Sequence, residues 1–270
     1  MAQRPTLTDL ITSLTSLSLP TPTTAFLQPI LTPPSSTTSF RQPPPLAALT
    51  ATAKHRLLSA SILPSSNSPS ILIPSTPSLP RTISDVRVKE CVLQHDVFVQ
   101  VVDILDLGRS KWEQIEGLEA ERKGETTKGR EVIRVIPAVD EHEASTASTQ
   151  FPTQSNIPTQ HQTGDKSSRG PFKLLLSDFK GTQIWGFELR KVEKIGLPPV
   201  MSIGCKVLLR KGARVARGVV LLEPGMVVVF GGKVDAEDKA WRARREERLR
   251  REVKEEAAEK AGEGEGEGGQ

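Results

Sequence analysis

Val97-Phe98-Val99-Gln100-Val101-Val102-Asp103-Ile104 is a run of β-branched and aromatic residues, too short for a typical helix and bounded by polar residues. It reads as a strand. Further strands are expected at Phe172 to Ser177, Gln183 to Arg190, Lys206 to Arg210, Arg217 to Leu222 and Met226 to Phe230. Turn chemistry separates them at Lys180-Gly181, Lys211-Gly212 and Pro224-Gly225. Six short strands in about 130 residues, with little helix between them, predict a mainly β chain built on a small closed barrel.

Within that barrel the connection from Ile104 to Phe172 exceeds any ordinary hairpin. The residues from Arg109 to Gly170 therefore form an insertion. It opens on Ser110-Lys111-Trp112-Glu113, a capping-box pattern that nucleates a helix carrying Trp112, Ile115 and Leu118 toward one side. A hydrophobic island follows at Arg130 to Pro137, with Val132, Ile133, Val135 and Ile136 as its apolar members. The rest, through Gln150 to Gly170, is rich in Gln, Thr, Ser and Pro and is expected to be disordered. Two readings of the island stand side by side: an extra edge strand on its own barrel, or a segment that inserts into another protein.

Outside the barrel the composition changes. Fourteen of the 21 prolines precede Arg81, and the first glutamate is Glu90. The expected organisation is a Pro/Ser/Thr-rich region with short helices (1–84), a barrel domain with the insertion 109–170 (85–235), and a charged helix with a disordered tail (236–270). In the first region, Thr6 to Leu17 and Leu46 to Ile62 show helical spacing. Runs such as Pro33-Pro34-Ser35-Ser36 and Ser65-Ser66-Asn67-Ser68-Pro69 read as flexible linkers. At the other end Val234 to Glu259 reads as a helix of Arg and Glu at i,i+3 and i,i+4 spacing, before a Gly-Glu repeat.

The formal charge of +4 conceals a contrast: Pro171 to Asp235 holds eleven Lys/Arg against five Asp/Glu, whereas the insertion is close to neutral. Lys173, Lys180, Arg190, Lys191, Arg210, Lys211 and Arg214 are accordingly the candidates for weak electrostatic contact with DNA; a solvated basic face explains them equally. No stretch approaches the roughly 20 apolar residues needed to span a bilayer, and the N-terminus lacks a secretory pattern, so an intracellular protein away from membranes is expected. Cys91 and Cys205 stand alone, which suits two thiols in a reducing compartment.

Catalytic chemistry needs convergent groups, and the sequence suggests none. His55, His95, His142 and His161 lack ligand partners at metal spacing, so no metal and no cofactor is expected. Asp103 and Asp106 read as turn or capping residues rather than a general acid and base. Gly231-Gly232-Lys233 lacks the spacing of a phosphate loop. Trp185 and Phe187, two residues apart on one strand, share a face, either packed in the core or open for base stacking.

The stretch Phe172-Lys173-Leu174-Leu175-Leu176-Ser177-Asp178-Phe179-Lys180-Gly181-Thr182-Gln183-Ile184-Trp185-Gly186-Phe187-Glu188, with Gly196-Leu197-Pro198-Pro199, Leu221-Leu222-Glu223-Pro224 and Phe230-Gly231-Gly232-Lys233-Val234, resembles the N-terminal OB domain of the RecQ-mediated genome instability protein 1 family in its fungal form. The likeness covers roughly Val86 to Asp235, and more weakly Pro45 to Ile62. Two positions depart from the family pattern: its Asp-Gly turn is spread over Asp178 to Gly181, and Leu189 replaces an aromatic residue.

The resemblance implies an OB fold and a non-enzymatic scaffold. Its implied setting is a nuclear complex of RecQ-family helicase and topoisomerase III that dissolves double Holliday junctions. It further implies that the insertion reaches toward the topoisomerase gate, and Trp112, Ile115, Leu118, Val132, Ile133, Val135 and Ile136, its apolar residues, are the candidate contacts. A partner of the second OB domain that some members carry is not expected, since a charged helix and tail stand at the C-terminal end. The rival expectation is an independent single-stranded nucleic-acid-binding OB protein using Trp185 and Phe187.

Overall fold

The computed structural model describes residues 5–32, 44–66, 69–123 and 170–264. The chain divides into two compact units, residues 1–115 with 168–270, and residues 116–167. Of the second, the described part is the distal portion of one helix.

Among the described residues there are eight strands: β1 (Glu90–Val92), β2 (Val97–Asp106), β3 (Phe172–Asp178), β4 (Gln183–Glu188), β5 (Lys206–Leu209), β6 (Arg214–Ala216), β7 (Val219–Leu222) and β8 (Val227–Gly231). Their order in the sheet is β1-β6-β7-β4-β3-β2-β5-β8. Only short breaks separate β1 from β2 and β5 from β6, and Gly212 N donates to Leu93 O at 2.8 Å across those breaks. The β2–β5 and β1–β6 pairs are therefore two stretches of one bent ladder. With β4 parallel to β7, the sheet curls back on itself in the OB manner, and β8 adds an edge beyond β5.

Two of these strands, β1 and β6, were not expected from the sequence, because three residues are too few to show a period. The strand expected from Arg217 is also corrected. Arg217 and Gly218 have φ of 47° and 76° and form the two-residue turn between β6 and β7, where mirror-image turns match the strand twist.

Strand β2 leads directly into the insertion and sets which of its own side chains turn outward. Its register shifts between Val101 and Asp103, a bulge that places the extra residue Val102 out of the ladder and reverses the alternation. Val97, Val99 and Val101 face the barrel interior before it, and Ile104 faces the interior after it. Asp103 and Leu105 are thereby turned outward.

The same alternation overturns the core-packing reading of Trp185 and Phe187. On β4 the buried row is Ile184, Gly186 and Glu188, and both rings lie on the outer face, half-buried and outside both apolar clusters. A side chain at Gly186 would meet Leu176 and Leu222 within 3.2 Å, so this row has no room for a ring.

Three helices, α1 (Leu7–Ser16), α2 (Thr24–Leu31) and α3 (Leu46–Ser59), precede the barrel. α1 and α3 match the expected segments, and Thr6 closes a capping box with Asp9 at the start of α1. α2 was hidden by its proline-rich surroundings. Leu10, Leu14, Leu27, Leu49 and Leu57 form a second cluster, which takes in Phe98 and Leu208 from the outer side of β2 and β5. Each such side chain contributes about 1.5–3 kcal/mol on burial. The linker expected at Pro33 to Ser36 lies outside the described residues; so do Asn67 and Ser68 of the second linker and most of the insertion.

The remaining helices among the described residues are α4 (Lys111–Lys123) and α5 (Asp235–Gly264). α5 continues past the expected end at Glu259 into the first Gly-Glu repeats; the residues after Gly264 lie outside the described set. No helix among the described residues is long and apolar enough to cross a membrane.

Candidate partner-binding site

The insertion leaves and rejoins the barrel through a narrow neck. Leu107 N donates to Pro171 O at 3.0 Å, and a side chain on Gly108 would lie 2.2 Å from the carbonyl oxygen of Gly170. Two acids shape this neck. Asp106 accepts from Gly108 N at 2.9 Å and pairs with Arg109 at 3.1 Å. Glu188 accepts from Phe172 N at 3.1 Å and from Val192 N at 2.9 Å. Both are buried. Since buried carboxylates must be hydrogen-bonded to be tolerated, their role here is to fix backbone, as expected for Asp106.

Immediately after the neck α4 begins, with the reciprocal cap expected from the sequence: Ser110 Oγ accepts from Glu113 N at 3.1 Å, and Ser110 N donates to Glu113 at 3.0 Å. Its apolar stripe divides. Trp112 is 59% exposed, whereas Ile115 is 2% exposed and Leu118 is half-buried. Ile115 is thus corrected from a candidate contact to an interior residue, and Trp112 is the open apolar side chain of the stripe. Val132, Ile133, Val135 and Ile136 lie outside the described residues.

α5 braces this region by polar contacts. Outward-turned Asp103 accepts from Trp241 Nε1 at 2.6 Å and pairs with Arg248 at 2.7 Å. Arg245 donates to Gln114 on α4 at 3.1 Å, and Gln114 in turn donates to the carbonyls of Asp106 and Arg109. Lys111 bridges Glu252 and Glu256. Burial pulls its ammonium down, but the two glutamates outweigh this and hold its pKa above the ordinary lysine range. The guanidinium groups of Arg245 and Arg248 both lie within 6 Å of the Trp241 ring. The i,i+3 and i,i+4 pattern of Arg and Glu in α5 does not disclose this brace; Trp241 within a highly charged helix was the available signal.

The candidate basic residues do not form one row. Lys180 sits over the Phe179 ring in the β3–β4 turn, and Arg210 and Lys211 occupy the β5–β6 turn. Lys191 is exposed in the loop after β4. Arg190 and Arg214 share Glu223, and Lys173 lies 4.7 Å from the centre of the Trp185 ring. His55 and His95 are exposed, and His142 and His161 lie outside the described residues. Among the described residues no three His, Cys, Asp or Glu side chains gather as metal ligands would. Gly231-Gly232 serves packing: a side chain on Gly232 would lie 2.3 Å from Leu58 O, so the strand end can approach α3 only as glycine.

These features define the class first: an OB-fold barrel whose first hairpin is opened by a necked, helix-led insertion and braced by a long C-terminal helix. The pattern of the family described as RMI1, N-terminal OB-fold domain, matches residues 79–245, from the wrap before β1 through the first third of α5. The chain belongs to that family. It is also similar to RecQ-mediated genome instability protein 1 of Schizosaccharomyces pombe, 28% identical over 149 residues, which are 54% of this chain and 60% of the relative. The chain thus spans about three-fifths of the length of that relative.

Proposed function

We propose that this protein is a non-catalytic scaffold subunit of a complex of topoisomerase III and a RecQ-family helicase. It acts in the nucleus in genome maintenance and stimulates decatenation and double Holliday junction dissolution. The observation that carries the reading is the exposed Trp112, standing one turn beyond a neck tied by five hydrogen-bond and ion-pair contacts. An apolar ring fixed by its scaffold loses little entropy on docking, which is how interface anchors are built. Family membership supports a place in the RecQ pathway, since the related protein bears a name tied to it.

The insertion acts by favouring one state of the topoisomerase gate, which requires contacts that differ between its open and closed states. Co-expression with a topoisomerase III, capture of the complex and a decatenation assay test this. Trp112→Ala is expected to weaken capture at least ten-fold, the loss of one well-buried aromatic anchor. Deleting Arg109 to Gly170 is expected to lower the decatenation rate as well. Unchanged capture and unchanged rate in both variants would remove the reading.

A further inference from the structure

Gln114 is a polar side chain at an interior position. It lies near the start of α4 beside Ile115, and only 6% of its surface is open. A buried amide is tolerated where its donors and its acceptor are used. Here its Nε2 donates to the carbonyl oxygens of Asp106 and Arg109, both at 3.1 Å, which stand at the two ends of the neck turn. Its Oε1 accepts from Arg245 of α5 at 3.1 Å. The Arg245 guanidinium also lies 5.4 Å from the centre of the Trp241 ring, and Trp241 and Arg248 both end on Asp103. A closed polar circuit results: it leaves β2 at Asp106, passes through Gln114, Arg245 and Trp241, and returns to β2 at Asp103.

We propose that Gln114 is the positioning residue of the insertion, through which α5 sets the direction of Trp112 and with it the strength of topoisomerase III capture. This deepens the scaffold reading and rests on Trp112 being its anchor. Successive residues of an α-helix are about 100° apart, so two positions turn through about 200°. Trp112 and Gln114 therefore leave α4 on opposite sides, one 59% exposed and the other buried. Whatever fixes the buried amide fixes the exposed ring.

The chemistry of the side chain suits this role. An amide is planar, so once both N–H groups are held by the neck carbonyls its oxygen has one direction left, and Arg245 stands there. A fully satisfied polar network of this kind rigidifies the segment it crosses. Ile115, the neighbouring interior residue, supplies apolar burial without any such direction. The helix that bears no candidate partner contact, α5, thereby governs the residue that does.

Capture of a topoisomerase III by the full chain, scored per folded molecule, tests the proposal in a double-mutant cycle. Gln114→Met is expected to weaken capture about five-fold, within the range of couplings between sites. In the Trp112→Ala background it is expected to weaken capture no further, because the amide acts through the ring. Arg245→Met leaves the neck bonds in place and should reproduce most of the loss. Arg245→Lys keeps a donor for Gln114 and should restore capture. A loss of equal size with and without Trp112 would make Gln114 a merely structural residue and overturn the proposal. So would wild-type capture by Gln114→Met or by Arg245→Met while Trp112→Ala is defective, a result that leaves the scaffold reading intact. Wild-type capture by Trp112→Ala itself would instead remove the anchor, and the positioning role with it.

Discussion

The barrel carries helices on two sides, and the balance of forces that attaches them differs. α1 to α3 are held by aliphatic side chains packed on Phe98 and Leu208. α4 and α5 bury fewer apolar groups, Ile115, Leu249 and part of Trp241, and add a polar network of Asp103, Gln114, Arg245, Arg248 and Lys111 that ties them to β2 and to one another. Apolar packing is strong and tolerant of direction, while hydrogen bonds and ion pairs are weaker in net terms and fix geometry. The first attachment therefore stabilises the domain, and the second aims the neck and Trp112.

The largest expected effect is on the apolar side. Leu57 is fully buried in the helical cluster, and Leu57→Ala should lower the unfolding free energy by about 2–5 kcal/mol in a urea titration. If the contrast holds, topoisomerase capture by the folded fraction stays at its wild-type value. A capture defect in that fraction would show that the two sides are coupled.

A smaller effect is expected from Asp103→Ala, which removes the acceptor of Trp241 and the partner of Arg248. The cost is about 2 kcal/mol, since hydrogen bonds to charged groups exceed neutral ones and the half-buried Arg248 guanidinium keeps only the longer pairing with Glu252 at 3.9 Å. Amide hydrogen exchange should speed up in α5 and at the start of α4, with α1 to α3 unchanged. Raised salt should mimic part of the effect on the partly exposed pairs and none of the effect of Leu57→Ala. Uniform acceleration across the chain would erase the distinction.

The same contrast explains how much could be read from the sequence. The six longer strands, the long insertion after the first of them, the Ser110 capping box and the starts of α1 and α3 depend on local pattern, so they were legible. α2 was not, because Pro22 and Pro29 mask an eight-residue helix whose stability comes from Leu27 and Ile30 packing on distant partners. The face of Trp185 and Phe187 was misread because hydrophobicity pointed to the wrong row of β4. Gly186 in mid-strand was the better guide, since a glycine there marks close approach of another chain segment. Asp103 could not be assigned to α5 at all: its partners lie 138 and 145 positions away, and the bulge at Val102 that turns it outward leaves no sequence mark.

Lys206 stands where the two attachments meet, and its titration sharpens the comparison. Its side chain is fully buried on β5, and its ammonium donates to the carbonyls of Gly204 and of Leu58 at the end of α3. Glu237, from the first turn of α5, faces it and accepts from Gln100 at 2.7 Å. Burial pushes the Lys206 pKa down to about 8, against the pull of Glu237 and Cys205, whereas a lysine in the unfolded chain titrates near 10.4. Above pH 8 the folded state gives up this proton first, so the unfolded state holds more protons and stability rises with pH. Cys205 acts in the opposite sense. Burial raises its pKa to about 11 from 9.0, so above pH 9 the unfolded thiol ionises first and stability falls. Between pH 8 and 9 Lys206 adds about 1 kcal/mol of unfolding free energy and Cys205 takes back about a third of that, so a net rise of about two-thirds of a kcal/mol is expected. Lys206→Met should remove that rise, and Cys205→Ala should extend it past pH 9. A flat profile in the wild type from pH 8 to 9 would mean that Glu237 and the two carbonyls fully offset the burial of the ammonium, leaving the seam between α3 and α5 neutral in energy.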